Sequence, residues 1–116
     1  MEELTKSEKR HARALISQSV EKEFAIGLTK FDVIIQAWKD DKHENREAYH
    51  AVFKEVKDFD KHIARRYDGV SNSNLFYTIV ALLQDKLITE EDLKGFQEET
   101  IKTLIKINNT EPYIEE

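Results

Sequence analysis

The chain has 116 residues, of which 40% are hydrophobic and 35% charged, with a net charge of −5, one proline and three glycines. A chain of this size holds one core, and so few turn-forming residues exclude an all-β domain. The acidic balance argues against non-specific nucleic-acid binding, which needs excess Lys and Arg, and the absence of cysteine removes disulfides, thiolate metal sites and cysteine nucleophiles.

Thr5 and Glu8 have the Ser/Thr-x-x-Glu spacing of a capping box, so a first helix is expected to start there. Ile16, Val20, Phe24, Leu28, Phe31, Ile35 and Trp38 follow at steps of four and three, which places them along one stripe of a continuous helix. Leu15, Ile26, Val33 and Ile34 add a second stripe. The expected helix is roughly 34 residues, or about 50 Å at 1.5 Å per residue, with Gly27 as the point where it could break. So long an amphipathic helix needs a partner along its length.

The wholly polar stretch 39–46 reads as a turn between antiparallel helices, with Asp40 and Asp41 as caps for the second. That helix carries Ala48, Val52, Val56, Phe59, Ile63 and Tyr67 on one face and Lys54, Lys57, Lys61 and Arg65 on the others. Asp68-Gly69 is its expected stop, with glycine in the left-handed conformation. Ser71, Asn72, Ser73 and Asn74 offer caps for a third helix over 75–86, apolar on most sides and expected to be the most buried element. A short helix should begin between Thr89 and Asp92 and close at Gly95. Ile101, Leu104, Ile105 and Ile107 mark a last helix before a polar tail from Asn108. The expected organisation is all-α, a single helical domain 1–116 with a long antiparallel helix pair (5–67), a small helical head (71–107) and a flexible tail (108–116). No apolar run approaches the ~20 residues that span a bilayer, and the first residues lack an apolar signal core. A cytoplasmic setting is the expectation.

Chemistry has few footholds. His43, Glu44, Glu47 and His50 recur at helical spacing, and Asp58 and His62, also four apart, could join them, which would suit a metal. Only one Glu-x-x-His unit is present, however, where a di-iron bundle repeats it, and a solvated turn and helix start is the favoured reading. There is no nucleophile elbow, phosphate-binding glycine loop or His-Glu-x-x-His motif, so no catalytic residue is assigned. Phe24, Phe31 and Trp38 share the long stripe of the first helix, while Tyr49 and Phe53 lie beside the core stripe of the second. A chain this short cannot cover all of that surface, so part of it is expected to form a homodimer interface.

From the second helix onward, FDKHIARRYDGVSNSNLFYTIVALLQDKLITEEDLKGF resembles the fluorescence recovery protein family: a helix running into a basic-Tyr-Asp junction, an apolar helix, then a short Glu-Glu-Leu-like helix. The positions that carry it are Ile63, Arg66, Tyr67, Asp68, 75–83 and Leu93, and it extends over roughly residues 14–105. The resemblance implies an all-helical dimer that binds the orange carotenoid protein of cyanobacteria and speeds its return from the quenching form in photoprotection, without a cofactor. It also places Phe76, Tyr77 and Lys102 near the family's partner-contacting head. At the second-helix dimer and partner surface the family bears a Trp, a His-Asp pair and an Arg, where this chain has His50, Phe53, Lys54 and Asp60. These changes reverse local charge, so the resemblance implies a kept scaffold with a changed partner.

The sequence thus points to a non-enzymatic regulatory or adaptor protein whose partners are a second copy of itself and another soluble protein, a carotenoid-binding or related light-response protein on the resemblance. The alternative is a small metal-binding helical protein using His43, Glu47 and His50.

Overall fold

A computed structural model describes residues 3–110, which form helices and connecting turns with no strand among them. In chain order these are α1 (Lys6–Lys39), α2 (Asn45–Tyr67), α3 (Leu75–Gln84), a 3₁₀ segment (Glu90–Gly95) and α4 (Glu98–Thr110). The long first helix and the all-helical architecture agree with the sequence.

The capping box forms as expected: the Thr5 hydroxyl accepts from the Glu8 N–H at 3.1 Å and a Glu8 carboxylate oxygen accepts from the Thr5 N–H at 3.0 Å. The second Glu8 oxygen accepts from the Gln97 N–H at 3.0 Å, so the cap also ties down the start of α4. From there α1 runs unbroken for 34 residues. Gly27 does not interrupt it. A Cβ at Gly27 would stand 2.8 Å from the Phe59 ring, so the missing side chain is what lets α2 lie close.

Asp40 and Asp41 do not cap α2. Asp40 is the C-cap of α1, Asp41 takes φ 60° to reverse the chain, and Glu44 is the N-cap of α2, with the Glu47 carboxylate accepting the Glu44 N–H at 3.3 Å. A short acidic side chain tolerates the left-handed turn conformation, which is why the aspartate serves the reversal instead. The stop after α2 also differs from expectation. Asp68 is right-handed and no described glycine has positive φ; the chain leaves through a turn closed by the Val70 N–H on the Tyr67 carbonyl at 3.2 Å.

In the head, α3 ends at Gln84, earlier than the composition suggested, because Lys86 turns left-handed at φ 63°. The 3₁₀ segment opens on the Thr89–Asp92 pair. α4 begins at Glu98 and continues through Asn108 and Asn109, which the sequence had given to the tail; the rest of that tail, 111–116, lies outside the described residues. Helix propensity differences of a few tenths of a kcal/mol per asparagine do not stop a helix anchored by Leu104 and Ile107.

α3 is the most buried element, as expected, with Leu75, Phe76, Ile79, Val80, Ala81, Leu82 and Leu83 all inside. All of these but Ala81 close a core with Ala12 and Leu15 of α1, Leu87, Ile88, Leu93, Phe96 and Leu104. The molecule measures 55 × 24 × 24 Å. The first half of α1 carries the head and the second half carries α2, so one helix spans both parts.

Candidate interaction surface

The α1–α2 hairpin has a single seam and therefore only a partial core. α1 meets α2 at Glu23, which bonds His62, Arg66 and Tyr67, and at Gly27, which lies against Phe59; both are buried. The aromatic stripe lies to one side of that line. Phe59 packs edge-on between Phe24 and Phe31, with centroids 5.7 and 5.9 Å away, and beyond it the stripe comes to the surface. Phe24 is 43% exposed, Leu28 64% and Trp38 40%, and from α2 Tyr49 is 66% and Phe53 53% exposed, with Ile35 and Val56 also open. Tyr49 and Phe53 stack nearly parallel. Near the hairpin tip an apolar cavity of about 310 Å³ opens between Ile35, Trp38, Ala48, Tyr49 and Val52, with the Trp38 indole N–H donating to the Asn45 side-chain Oδ1 at 2.8 Å. The first and second helices thus present one continuous apolar face. Ile26 and Val33, from the second expected stripe, are exposed on the other flank of α1.

Where the hairpin meets the head, a polar cluster replaces apolar packing. Glu23 accepts from Tyr67 Oη at 2.6 Å and from an Arg66 guanidinium nitrogen at 2.8 Å, and its other oxygen is paired with His62 Nε2 at 2.6 Å. Arg66 also pairs with Asp85 just after α3. Burial alone would raise the Glu23 carboxyl, but the hydrogen bonds from Tyr67 and His62 and the Arg66 charge outweigh it and hold the group below the ordinary carboxylate range. Burial and the neighbouring Glu23 push the Tyr67 phenol well up, so it stays a neutral donor. The cluster fixes the end of α2 against α1 and the head. Sequence reasoning marked Arg66 and Tyr67 through the family resemblance and missed Glu23 and Asp85. The available signal was Glu23's place between Ser19 and Gly27, a carboxylate at one-turn spacing on the line of small residues that packs closest.

The other singled-out residues fall in different places. His50, Phe53, Lys54 and Asp60 are exposed on α2, with Lys54 paired to Asp58 at 2.8 Å. Tyr67 belongs to the polar cluster, and Asp68 is an exposed helix cap. Phe76 is a core residue; Tyr77 is half-buried and meets it edge-on at 5.2 Å; Lys102 is exposed on α4. His43 Nδ1 and Glu47 stand 3.2 Å apart in the open, His50 leans on Tyr49, and His62 is taken up by Glu23. Among the described residues no three His, Asp or Glu side chains converge as a metal would require. No described helix is long and apolar enough to cross a membrane.

No protein-family model, curated protein or solved structure matches this chain.

Proposed function

We propose that this chain is a non-enzymatic regulatory or adaptor protein that acts as a homodimer, with a second copy covering the apolar face of the hairpin, and that binds another soluble protein in that form. The observation that carries the reading is the exposed row Phe24, Leu28, Ile35, Trp38, Tyr49, Phe53 and Val56. These residues are 36–66% exposed, which leaves apolar surface of the order of several hundred Å², comparable with the largest patch of an ordinary monomer and with one partner's share of a standard interface. Exposed Asp32 and Lys39 on α1 and Lys57 and Asp60 on α2 border it, the polar rim around an apolar centre that stable interfaces have. A two-fold pairing of such faces closes on itself and leaves no apolar surface to continue the assembly.

The resemblance to the fluorescence recovery protein family supports the same arrangement, while His50, Phe53, Lys54 and Asp60 support a different partner. Trp38 reports on the dimer directly. Its emission should shift to the blue as protein concentration rises, and Phe53→Glu should abolish the shift. An emission maximum independent of concentration, the same in both proteins, would count against a second copy on this face. Added to light-activated orange carotenoid protein, the chain should leave the dark recovery rate unchanged, whereas acceleration would show that the family's partner surface survives.

A further inference from the structure

The first two turns of α1 hold a cationic stripe that the dimer face does not use. Lys6, Lys9, Arg10 and Arg13 stand at i, i+3, i+4 and i+7 and so share one face of the helix. The opposite face is the one that packs on the head: Glu8 is buried and committed to Thr5 and Gln97, His11 Nε2 lies 2.8 Å from the Asp92 carbonyl oxygen, and Ala12 and Leu15 are in the core. The fold therefore turns inward the one acid within this stretch and leaves the four cations on the outside. Arg13 is tied to Asn72 at 2.6 Å, beside Ser71 and Ser73, while Lys6, Lys9 and Arg10 have no ion pair or side-chain hydrogen bond among the described residues.

We infer that this stripe is a docking site for a short acidic segment of a partner protein. The inference rests on the reading of the chain as a protein-binding adaptor and gives that binding a place and a chemistry. Removing these four charges from the net charge of −5 leaves −9 on the rest of the chain. A second exposed basic row, Lys54, Lys57, Lys61 and Arg65 on α2, is interrupted by Asp58, which pairs with Lys54 at 2.8 Å; no acid lies on the outer face of the α1 stripe. From Lys6 to Arg13 it runs about 10 Å at 1.5 Å per residue, a length that roughly three residues of extended peptide span. A short acidic peptide can lie wholly within it, while a longer polyanion such as RNA would run on to negative surface and be repelled. The positive end of the α1 dipole adds to the attraction. Arg13 is separated from Phe24, the nearest part of the apolar face, by about 16 Å along the helix, so both surfaces can be occupied together.

The test uses the full chain and a fluorescein-labelled peptide with four consecutive glutamates, followed by anisotropy. The wild type should bind it, more weakly as salt rises, and should not bind the tetraglutamine counterpart. Lys9→Glu/Arg10→Glu should weaken binding at least about tenfold, while the equal charge change Lys30→Glu/Lys42→Glu should leave it within about twofold. Circular dichroism verifies that both variants are folded, and backbone amide shifts on the wild type should move within 6–13 and 71–73. Absence of binding, equal loss in both variants, shifts elsewhere, or tighter binding of an eight-nucleotide single strand than of the peptide would each overturn the proposal. The mass of each sample, read by light scattering, tests the dimer independently, so failure of one surface is told apart from failure of the other.

Discussion

Glu23 carries more of this fold than any other single polar residue, because one buried carboxylate answers three donors from α2. Glu23→Ala should leave the Arg66 guanidinium buried without its carboxylate partner on α1, at a cost of about 3 kcal/mol read from urea unfolding. The pH dependence has a definite sign. The folded carboxyl lies below its unfolded value near 4.5, so its stabilisation is complete above that value and is lost as pH falls through the folded one. Tyr67 is shifted upward, so its contribution is present below its ordinary value near 10 and is lost as pH rises through the folded one. Melting temperatures between about pH 3 and pH 7 should fall more steeply toward acid in the wild type than in Glu23→Gln. A parallel profile would mean that other carboxylates dominate. The two close-approach glycines give a second prediction. A Cβ at Gly95 would run into the His11 ring, and that ring is held by the Asp92 carbonyl and by Phe96. Gly95→Ala should cost about 1–3 kcal/mol. Gly27→Ala should cost less, since better helix propensity returns about 1 kcal/mol against the Phe59 contact.

At the scale of elements, the start of α1 was written in four residues and the end of α4 in none. Thr5 and Glu8 form a reciprocal cap whose spacing is local, so it could be read directly. Thr5→Ala should cost about 1 kcal/mol and Glu8→Ala about 2, because Glu8 also holds the Gln97 N–H at the start of α4, a contact 89 residues away that no local pattern encodes. Helix ends were less legible. Gly69 looked like a left-handed stop and is not one, because the turn closed by the Val70 N–H on the Tyr67 carbonyl passes through Gly69 without a positive φ; Asp41 and Lys86 take the left-handed positions instead. The aromatic stripe of α1 was legible as a stripe, but its exposure was not. A run at steps of four and three marks one side of a helix without saying how far around it the neighbour reaches, and here α2 sits over Gly27 and leaves Phe24, Leu28 and Ile35 at its edge. Tight seams on small residues hide this way, because the apolar signal comes from the large residues beside them.

For the whole molecule, the length of α1 joins two unequal parts: a head with a closed core around α3, and a hairpin whose single seam leaves an apolar face open. The head accounts for the fully buried large residues Leu75, Ile79, Leu82, Leu93 and Leu104, and the hairpin for the exposed aromatics. A hairpin of this kind gains stability by acquiring two more helices, which in the proposed dimer a second copy would supply. Light scattering coupled to size exclusion on the purified chain tests this most directly. The wild type should have a mass twice the 13.6 kDa of one chain, and Phe53→Glu a single-chain mass. A wild type that elutes with the mass of one chain at high micromolar concentration would contradict the dimer.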